Sequence, residues 1–399
     1  MAIPFIHVQA TGDHRTLGRA VGEAAREEIR ASVAFFAEHF EAMTRGRLTF
    51  ATAEEQAKVY AAHARRGLPQ YVDELEGLAE GAGLPFSQLL VLNCGEEFTA
   101  VEPVAGEAGA DGATAAPGVT GVADPSATAD GATAQDEMSD ASGSSARGSG
   151  DHCTAVAVAS GGRHVVGHNM DWYVIDAPNN VLFDLTTPDG ARVMGIAGAP
   201  YLLMLGMNSH GIGSVSNSVH STDNRIGVPN TFVRRWTLEA ATLEEARDRG
   251  LLAARARGTN HFLADTGGRL WDIETSATSN AFADHSDAGF MAHTNHYAAP
   301  AMAPFEGSRF EESRVRLATA ERLLAEGVAR GDDPVELATR VLRSHEPSPA
   351  QEICGHPNDA QDAADQVMTV GSMICDLDER RLYVCAGPPC ENPYQVFSL

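Results

Sequence analysis

The hydrophobic pattern of the first hundred residues differs from that of the rest of the chain. Apolar residues recur at three- and four-residue spacing in several runs, which predicts amphipathic helices. We expect a short strand at 3–9 and helices at 16–40, 53–64, 71–80 and 85–92. Residues 1–101 are therefore predicted to form a helical layer that packs on the remainder of the protein.

From residue 153 onward, short apolar runs separated by turn residues predict antiparallel sheet. The clearest signal is a hairpin in which Thr154–Ser160 is joined to a second run, beginning at Arg163, by Gly161-Gly162. Further strands are predicted at 180–187, 192–196, 202–205, 212–219, 261–264, 270–274, 281–292, 368–375, 381–385 and 394–399, with helices at 231–254 (a pair split near Thr242), 311–329 and 334–344. This order predicts an α+β fold with two packed antiparallel sheets between helical layers.

Residues 102–152 resemble neither part. They contain no Leu, Ile, Phe, Tyr or Trp, and carry nine acidic side chains against one arginine, Arg147. A segment that cannot bury apolar area does not fold by itself. We therefore predict three parts within one domain: the helical segment 1–101, a disordered acidic arm 102–152, and the body 153–399.

A single cysteine, Cys153, lies where the predicted arm becomes the first hairpin strand. One hypothesis is that the His152–Cys153 peptide bond is cut. Cys153 would then supply the thiol as nucleophile and its own α-amine, with a pKa of about 7.7 to 8.0, as base. The alternative is a buried, inert cysteine that happens to begin a strand. The hairpin alone does not separate the two.

Two neighbouring motifs extend this hypothesis. Cys153-Thr154, followed by Gly167-His168-Asn169-Met170-Asp171-Trp172, resembles the isopenicillin N acyltransferase-like family (peptidase family C45) of self-processing N-terminal-nucleophile enzymes. That family carries Cys-Thr and then Gly-x-Asn-x-Asp at this spacing. Further matching segments occur in the family's order: Gly12 to Gly18, Leu92-Asn93 with Glu97-Phe98, Gly206 to Gly211, Asn217 to His220, His293 to His296, and Cys375-Asp376 to Gly387-Pro388-Pro389.

The resemblance implies an αββα four-layer Ntn-hydrolase sandwich made as a precursor and cut before Cys153. It implies that Cys153 forms an acyl thioester, Asn295 holds the oxyanion and Asp171 fixes the new ammonium group. Thr154 and Asn217 are weaker candidates for pocket or oxyanion support, with a purely structural amide as the alternative for Asn217. The implied substrate is a small-molecule N-acyl amide or acyl thioester, and water or an amine remains open as the acceptor.

The resemblance also implies that the two fragments of the precursor are partners of each other. A rival from another functional class is a non-enzymatic binding protein that keeps the same fold with an uncut arm. One departure from the family concerns the substrate: fungal members carry a Ser-Arg pair where this chain has Asp365-Gln366, so penicillin biosynthesis is not implied. Arg314 and Arg316 are possible replacements for that cation, but an arginine on a helix face is usually solvated.

The charge and the remaining candidate ligands exclude other classes. A formal net charge of −25 argues against nucleic acid or an anionic membrane as partner. Six cysteines without a CxxC pair, no signal peptide and no apolar run of about 20 residues favour a cytoplasmic protein. We expect no cofactor and no metal. His293 and His296, spaced three apart at a strand end, point to opposite faces, which argues against an ion shared with Cys354 or His356.

Overall fold

The computed structural model describes residues 5–99, 152–307, 311–348, 351–358, 360–362 and 364–399. The helices there are α1 His14–Ala24, α2 Arg26–Met43, α3 Phe50–Gly67, α4 Pro69–Ala82, α5 Phe86–Asn93, α6 Gly95–Thr99, α7 Asn230–Leu238, α8 Leu243–Gly250, α9 Glu311–Arg330 and α10 Pro334–Leu342. The strands are β1 Ile6–Thr11, β2 Thr154–Ser160, β3 Arg163–Tyr173, β4 Asn180–Thr186, β5 Arg192–Gly198, β6 Gly206–Asn208, β7 Ile212–Val215, β8 Asn260–Asp265, β9 Leu270–Thr275, β10 Asn280–Asp284, β11 Phe290–His293, β12 Val367–Asp376, β13 Arg381–Ala386 and β14 Gln395–Ser398. Short 3-10 helices span Val174–Asn179, Ser286–Ala288 and Pro300–Phe305. The predicted acidic arm lies outside the described residues except for His152.

The strands form two sheets. The eight-stranded sheet has the order β1-β4-β5-β6-β7-β8-β9-β10, and the six-stranded sheet has the order β11-β2-β3-β12-β13-β14. Neighbouring strands are antiparallel except for β1 and β4, which run parallel. The predicted hairpin is present, with Thr154 opposite Asn169 and Ser160 opposite Arg163.

Alternating side chains along the strands define four layers. In β2, Ala155 and Ala157 belong to the core between the two sheets, whereas Val156 and Val158 pack with the side chains of α9 and α10. In β4, Leu182 faces the same central core, while its neighbours pack against the N-terminal helices. Because successive strand residues point to opposite faces, each sheet contacts the other on one side and helices on the other. The αββα sandwich predicted from the sequence is confirmed.

The N-terminal helices cover the eight-stranded sheet. The backbones of helices α1 and α4 pack directly against each other. A methyl group added at Gly18 would fall 1.8 Å from the carbonyl oxygen of Glu74, and one at Gly77 would fall 2.0 Å from that of Arg15. Helix α7 adds Phe232 and Val233 to this layer. No helix in the described ranges is both long enough and apolar enough to span a bilayer.

Three predicted elements differ in the structure. The helix predicted at 16–40 is two helices, because the backbone of Ala25 leaves the helical region, with φ −113° and ψ 32°, although its amide and carbonyl still bond to Val21 and Ile29. The strand predicted at 202–205 is an irregular buried segment that precedes β6. The strand predicted at 281–292 is two strands, β10 and β11, which lie in different sheets. The predicted split of 231–254 is confirmed, with Thr242 as the N-cap of α8.

Candidate active site

Cys153 lies immediately before β2, an interior strand of the six-stranded sheet. Its side chain is partly exposed and lines a cavity of about 1170 Å³, together with His152 and Asp171. Helices from residues 1–99 and strands of the body both supply the walls of this cavity. The junction chosen from the sequence therefore lies at a large cavity.

Asp171 is brought to Cys153 by the hairpin register. Since Thr154 pairs with Asn169, the end of β3 lies beside the residues that precede β2. The Cys153 thiol is 3.9 Å from the backbone oxygen of Asp171. The Asp171 carboxylate is only 2% exposed and accepts a hydrogen bond of 2.7 Å from Thr369 Oγ1. Burial raises the pKa of Asp171 to about 7, although the Thr369 hydrogen bond and the nearby Arg316 charge oppose this shift.

Arg316, which was expected from the sequence to be solvated, is buried in the structure. Its guanidinium is buried, and Nη1 donates to the carbonyl oxygens of His152 at 2.6 Å and Cys153 at 2.8 Å, and to Thr154 Oγ1 at 3.2 Å. Arg314, the alternative replacement, is partly exposed and pairs with Glu306 at 2.9 Å. A buried cation therefore contacts both carbonyl groups that flank the predicted cleavage site.

The sequence held a signal for the burial of Arg316. Positions 316, 320 and 324 lie on one face of α9, and Ala320 and Leu324 on that face are fully buried against the six-stranded sheet. Residues four apart lie one above the other on a helix. The hydrophobic stripe of α9 thus predicts that Arg316 faces the sheet, and the general preference of arginine for solvent obscured it.

Asn295 follows β11, the strand that pairs with β2. Its Oδ1 accepts a hydrogen bond of 3.1 Å from Arg316 Nη2, and its Nδ2 donates to the Ser218 carbonyl oxygen at 3.1 Å. An amide nitrogen carries two hydrogens, so Ser218 uses one of them. The structure thus connects Cys153, Thr154 and Asn295 through one guanidinium.

Asn217, unlike Asn295, is not hydrogen-bonded to Arg316. It is fully buried, and within the described residues neither of its side-chain polar atoms has a hydrogen-bond partner. Its neighbours Ser216 and Ser218 line the cavity, but Asn217 itself is not among the lining residues. It does not bond to the guanidinium that links the other candidates.

The two histidines weighed as metal ligands have separate partners. His293 Nε2 lies 2.9 Å from the carboxylate of Glu274, and His296 Nδ1 lies 2.8 Å from Ser313 Oγ. Burial lowers the pKa of His296 to about 3. Cys354 and His356 contact each other and two further residues instead.

The cavity walls are mainly apolar with a few charges. Phe36, Phe40, Trp172, Tyr173 and Tyr201 supply aromatic surface from both parts of the chain. The charged lining residues are four acids and three arginines: Glu96, Asp171, Glu312, Asp365, Arg45, Arg234 and Arg257. Asp365 is one of the two residues that stand where fungal members of the resembled family carry Ser-Arg.

The four-layer sandwich with two packed, largely antiparallel sheets is that of the N-terminal-nucleophile hydrolases. Within this class, the chain belongs to the acyl-coenzyme A:6-aminopenicillanic acid acyl-transferase family, whose model matches residues 158–389. The match includes Asp171 and Asn295 and begins after Cys153. Membership supports an enzyme that acts on acyl substrates.

Individual relatives are distant. The 40 kDa form of acyl-coenzyme A:6-aminopenicillanic-acid-acyltransferase from Emericella nidulans is 21% identical over 293 residues, which cover 73% of this chain and 69% of the relative. Penicillin V acylase from Agrobacterium tumefaciens is similar in structure with a TM-score of 0.41 and 15% identity, over 59% of this chain and 82% of that one. A variant of conjugated bile acid hydrolase from Clostridium perfringens has a TM-score of 0.41 and 12% identity, over 62% and 97%.

Proposed function

We propose that this protein is a self-processing enzyme that cuts its own His152–Cys153 bond and then uses Cys153 to cleave linear N-acyl amides or acyl thioesters. The observation that carries the proposal is the hydrogen bond of 2.6 Å from buried Arg316 to the His152 carbonyl oxygen, next to the Cys153 thiol. That oxygen belongs to the bond to be cut. A buried cation at the carbonyl oxygen of the bond to be cut favours a catalytic role for Cys153 over a purely structural one.

The self-cleavage step follows from this geometry. Cys153 Sγ forms a bond to the carbonyl carbon of His152, and the oxygen that accepts from Arg316 takes the negative charge. Donors preorganised at such an oxygen stabilise the transition state. The C–N bond then breaks, the thiol proton passes to the leaving nitrogen, and a thioester links His152 to Sγ. Water hydrolyses this thioester to give the His152 carboxylate and a free thiol and α-amine.

Turnover uses the groups that the cut releases. The new α-amine accepts the thiol proton as Sγ attacks the acyl carbonyl carbon, and returns a proton to the leaving amine. We assign to the Asp171 carboxylate the stabilisation of the ammonium form, because the backbone oxygen of Asp171 lies 3.9 Å from the Cys153 thiol. Arg316 binds Oδ1 of Asn295, which keeps the NH₂ end of this amide as a donor. One of its hydrogens bonds Ser218, and we assign the other to the oxyanion.

The cavity limits the class of acyl group. Its volume of about 1170 Å³ is somewhat above the range of about 300 to 1,000 Å³ that is typical of small-molecule sites. Aromatic walls favour a bulky apolar acyl group, and Asp365 and Glu312 disfavour a substrate carboxylate next to them. The same thioester serves hydrolysis by water and transfer to an amine.

Intact-mass measurement tests the proposal. The wild-type protein should give two fragments, 1–152 and 153–399, and Cys153→Ala should give one chain of 42.1 kDa. Exposure of the cut enzyme to a panel of N-acyl amides and acyl thioesters, followed by rapid acid quenching, should give an acyl adduct on Cys153. Cys94→Ala, at a buried cysteine in the N-terminal layer, is the control and should be cut and acylated normally.

Two results would overturn the proposal. A wild-type chain that stays whole and takes up no acyl group would instead support the non-enzymatic protein of the same fold. Cleavage of Cys153→Ala at the same bond would exclude Cys153 as the nucleophile of processing.

A further inference from the structure

Four side chains with nitrogen and sulfur donors converge outside the residues that line the acyl cavity. They are His345, Cys354, His356 and Cys390, and their potential ligand atoms all lie within 4.8 Å of one another. His356 Nε2 is 3.1 Å from His345 Nε2, 3.2 Å from Cys390 Sγ and 3.9 Å from Cys354 Sγ. Imidazole nitrogens and thiol sulfurs grouped this closely are the ligand types that zinc and similar metals bind.

The separations fit a tetrahedron. With Zn–N of about 2.05 Å and Zn–S of about 2.3 Å, tetrahedral geometry places two nitrogens about 3.3 Å apart and a nitrogen and a sulfur about 3.6 Å apart. The three separations found around His356 Nε2 are 3.1, 3.2 and 3.9 Å. Hydrogen bonds alone explain them poorly, because a neutral imidazole nitrogen has either one hydrogen or one lone pair. This single nitrogen faces three donor or acceptor atoms at once.

We propose that His345, Cys354, His356 and Cys390 bind a structural Zn²⁺ ion. Two thiolates and two imidazoles are a typical closed set for structural zinc and leave no position for a substrate. The site is therefore separate from the acyl chemistry at Cys153. It also departs from the sequence-based expectation of no metal, which considered Cys354 and His356 only with His293 and His296.

Backbone hydrogen bonds position the two cysteines of the cluster. The Ser344 carbonyl accepts from the amides of Ile353 at 3.2 Å and Cys354 at 3.1 Å, which sets Cys354 beside His345. The Pro388 carbonyl accepts from the amides of Glu391 and Asn392, both at 3.2 Å, and closes the turn that carries Cys390. A site in which ligands are already gathered loses little entropy on binding an ion.

The surroundings of His356 suit a ligand histidine. Its second ring nitrogen, Nδ1, lies 3.5 Å from the Glu391 carboxylate. A metal-bound histidine commonly donates its other N–H to a carboxylate, which fixes the ring and keeps the metal-facing nitrogen free of hydrogen. Glu391 is next to the ligand Cys390 in the same turn, so one turn supplies both a ligand and its supporting carboxylate.

Two hydrogen-bonded residues, Gly355 and Thr369, connect the proposed zinc site to Asp171. Gly355, between two of the ligands, donates its amide to Thr369 Oγ1 at 2.9 Å and accepts from the Thr369 amide at 3.1 Å. Thr369 Oγ1 in turn donates to Asp171. Zinc at this site fixes the segment that holds Thr369 and thereby the Asp171 carboxylate.

Metal analysis of untagged protein tests the inference. Wild-type protein made with zinc in the medium and purified without chelator should contain about one zinc ion per chain by inductively coupled plasma mass spectrometry. His345→Ala/Cys390→Ser should contain less than about a tenth of that amount. Both positions are at least partly exposed, so the fold should survive. The control Cys94→Ala/His210→Ala removes one cysteine and one histidine elsewhere and should keep the ion.

Cobalt gives a second readout on the wild-type chain. Reduced protein stripped of metal should bind one Co²⁺ and develop the visible bands of tetrahedral cobalt, with a near-ultraviolet thiolate-to-cobalt band that the double variant lacks. A chelator should lower the melting temperature of wild-type protein and leave that of the double variant unchanged.

Two outcomes would overturn the zinc site. One is zinc-free wild-type protein whose reduced form binds Co²⁺ no better than the double variant. The other is a Cys354–Cys390 disulfide, seen as a mass two hydrogens lower, in protein prepared without air. Neither readout depends on cleavage or acyl transfer, so failure here leaves the proposed function intact.

Discussion

At the residue scale, the buried carboxylate of Asp171 makes the stability of the uncut chain depend on pH. Burial raises its pKa from an ordinary 3.8 to about 7. The folded state therefore holds this proton more tightly than the unfolded state does. The stability that this provides is complete below about pH 4 and is lost as the pH rises through about 7. Asp171→Asn, which cannot ionise, should gain unfolding free energy relative to its parent as the pH rises from 4 to 8.

The comparison should be made in the Cys153→Ala background, so that no ammonium forms beside Asp171. Urea unfolding at pH 5 and at pH 8 gives the two free-energy differences. Asp287→Asn, at an exposed position, is the control and should show little change between them. An equal effect of Asp171→Asn at both pH values would contradict a raised pKa at this residue.

Arg316 permits a test of charge against geometry. Lysine keeps the positive charge but cannot reach both backbone carbonyls and Asn295 with a planar fork. We expect Arg316→Lys to slow self-cleavage by about 10² to 10³, the scale for loss of an oxyanion donor. Arg314→Lys on the same helix, whose parent side chain pairs with Glu306, is the matched control. The half-time of fragment formation after cell-free synthesis measures both, and equal half-times would show that processing does not need the planar fork of Arg316.

The site residues illustrate what a sequence reveals at this scale. Cys153, Thr154, Asp171 and Asn295 were selected from short motifs. Cys153 and Asp171 line the cavity, and Arg316 contacts Cys153, Thr154 and Asn295, while the roles of the four residues stay predictions. Arg316 was set aside because an arginine on a helix face is usually solvated. The apolar stripe of α9 indicates that Arg316 faces the sheet, but its contacts with His152 and Cys153 depend on packing between distant segments.

At the element scale, the contact between α1 and α4 depends on glycine. A methyl group at Gly77 would overlap the Arg15 carbonyl oxygen, which is backbone and cannot rotate away. Gly77→Ala should therefore lower the unfolding free energy by about 1 to 3 kcal/mol or more, despite the better helix propensity of alanine. Gly95→Ala, where no atom lies within 4 Å of the added methyl group, is the control. Denaturant unfolding of both variants should separate them, and a stable Gly77→Ala would show that the helices can move apart.

Local elements were predictable where short-range chemistry decides them. The β2–β3 hairpin follows from Gly161-Gly162 between two apolar runs, and the α8 cap follows from Thr242. The break at Ala25 was not predicted, because neither glycine nor proline marks it. The division of 281–292 between two sheets was missed for a related reason, since strand partners are chosen by tertiary contacts that periodicity does not contain.

At the scale of the whole molecule, the parts before and after Cys153 share one structure. Strand β1 forms an edge of the eight-stranded sheet by pairing with β4, and the helices before the arm share a hydrophobic cluster with Phe183 and Phe232. Glu96 accepts from Arg234 at 2.7 and 2.9 Å within this contact. Layers of this kind follow from periodicity, but the parallel β1–β4 pairing needs a long crossover, and no local pattern signals it.

This shared structure predicts the behaviour of the cut protein. Salt screens exposed charges strongly and buried pairs or apolar contacts little. Fragments 1–152 and 153–399 should therefore elute together from a sizing column in about 1 M NaCl, where the Debye length is about 3 Å. After separation in urea, fragment 153–399 refolded alone should aggregate, because Phe183 and Phe232 would lose their cover, whereas refolding with fragment 1–152 should restore soluble protein and the thiol reactivity of Cys153. A soluble, cooperatively unfolding 153–399 without its partner would show that the N-terminal layer is an accessory and not part of the folding unit.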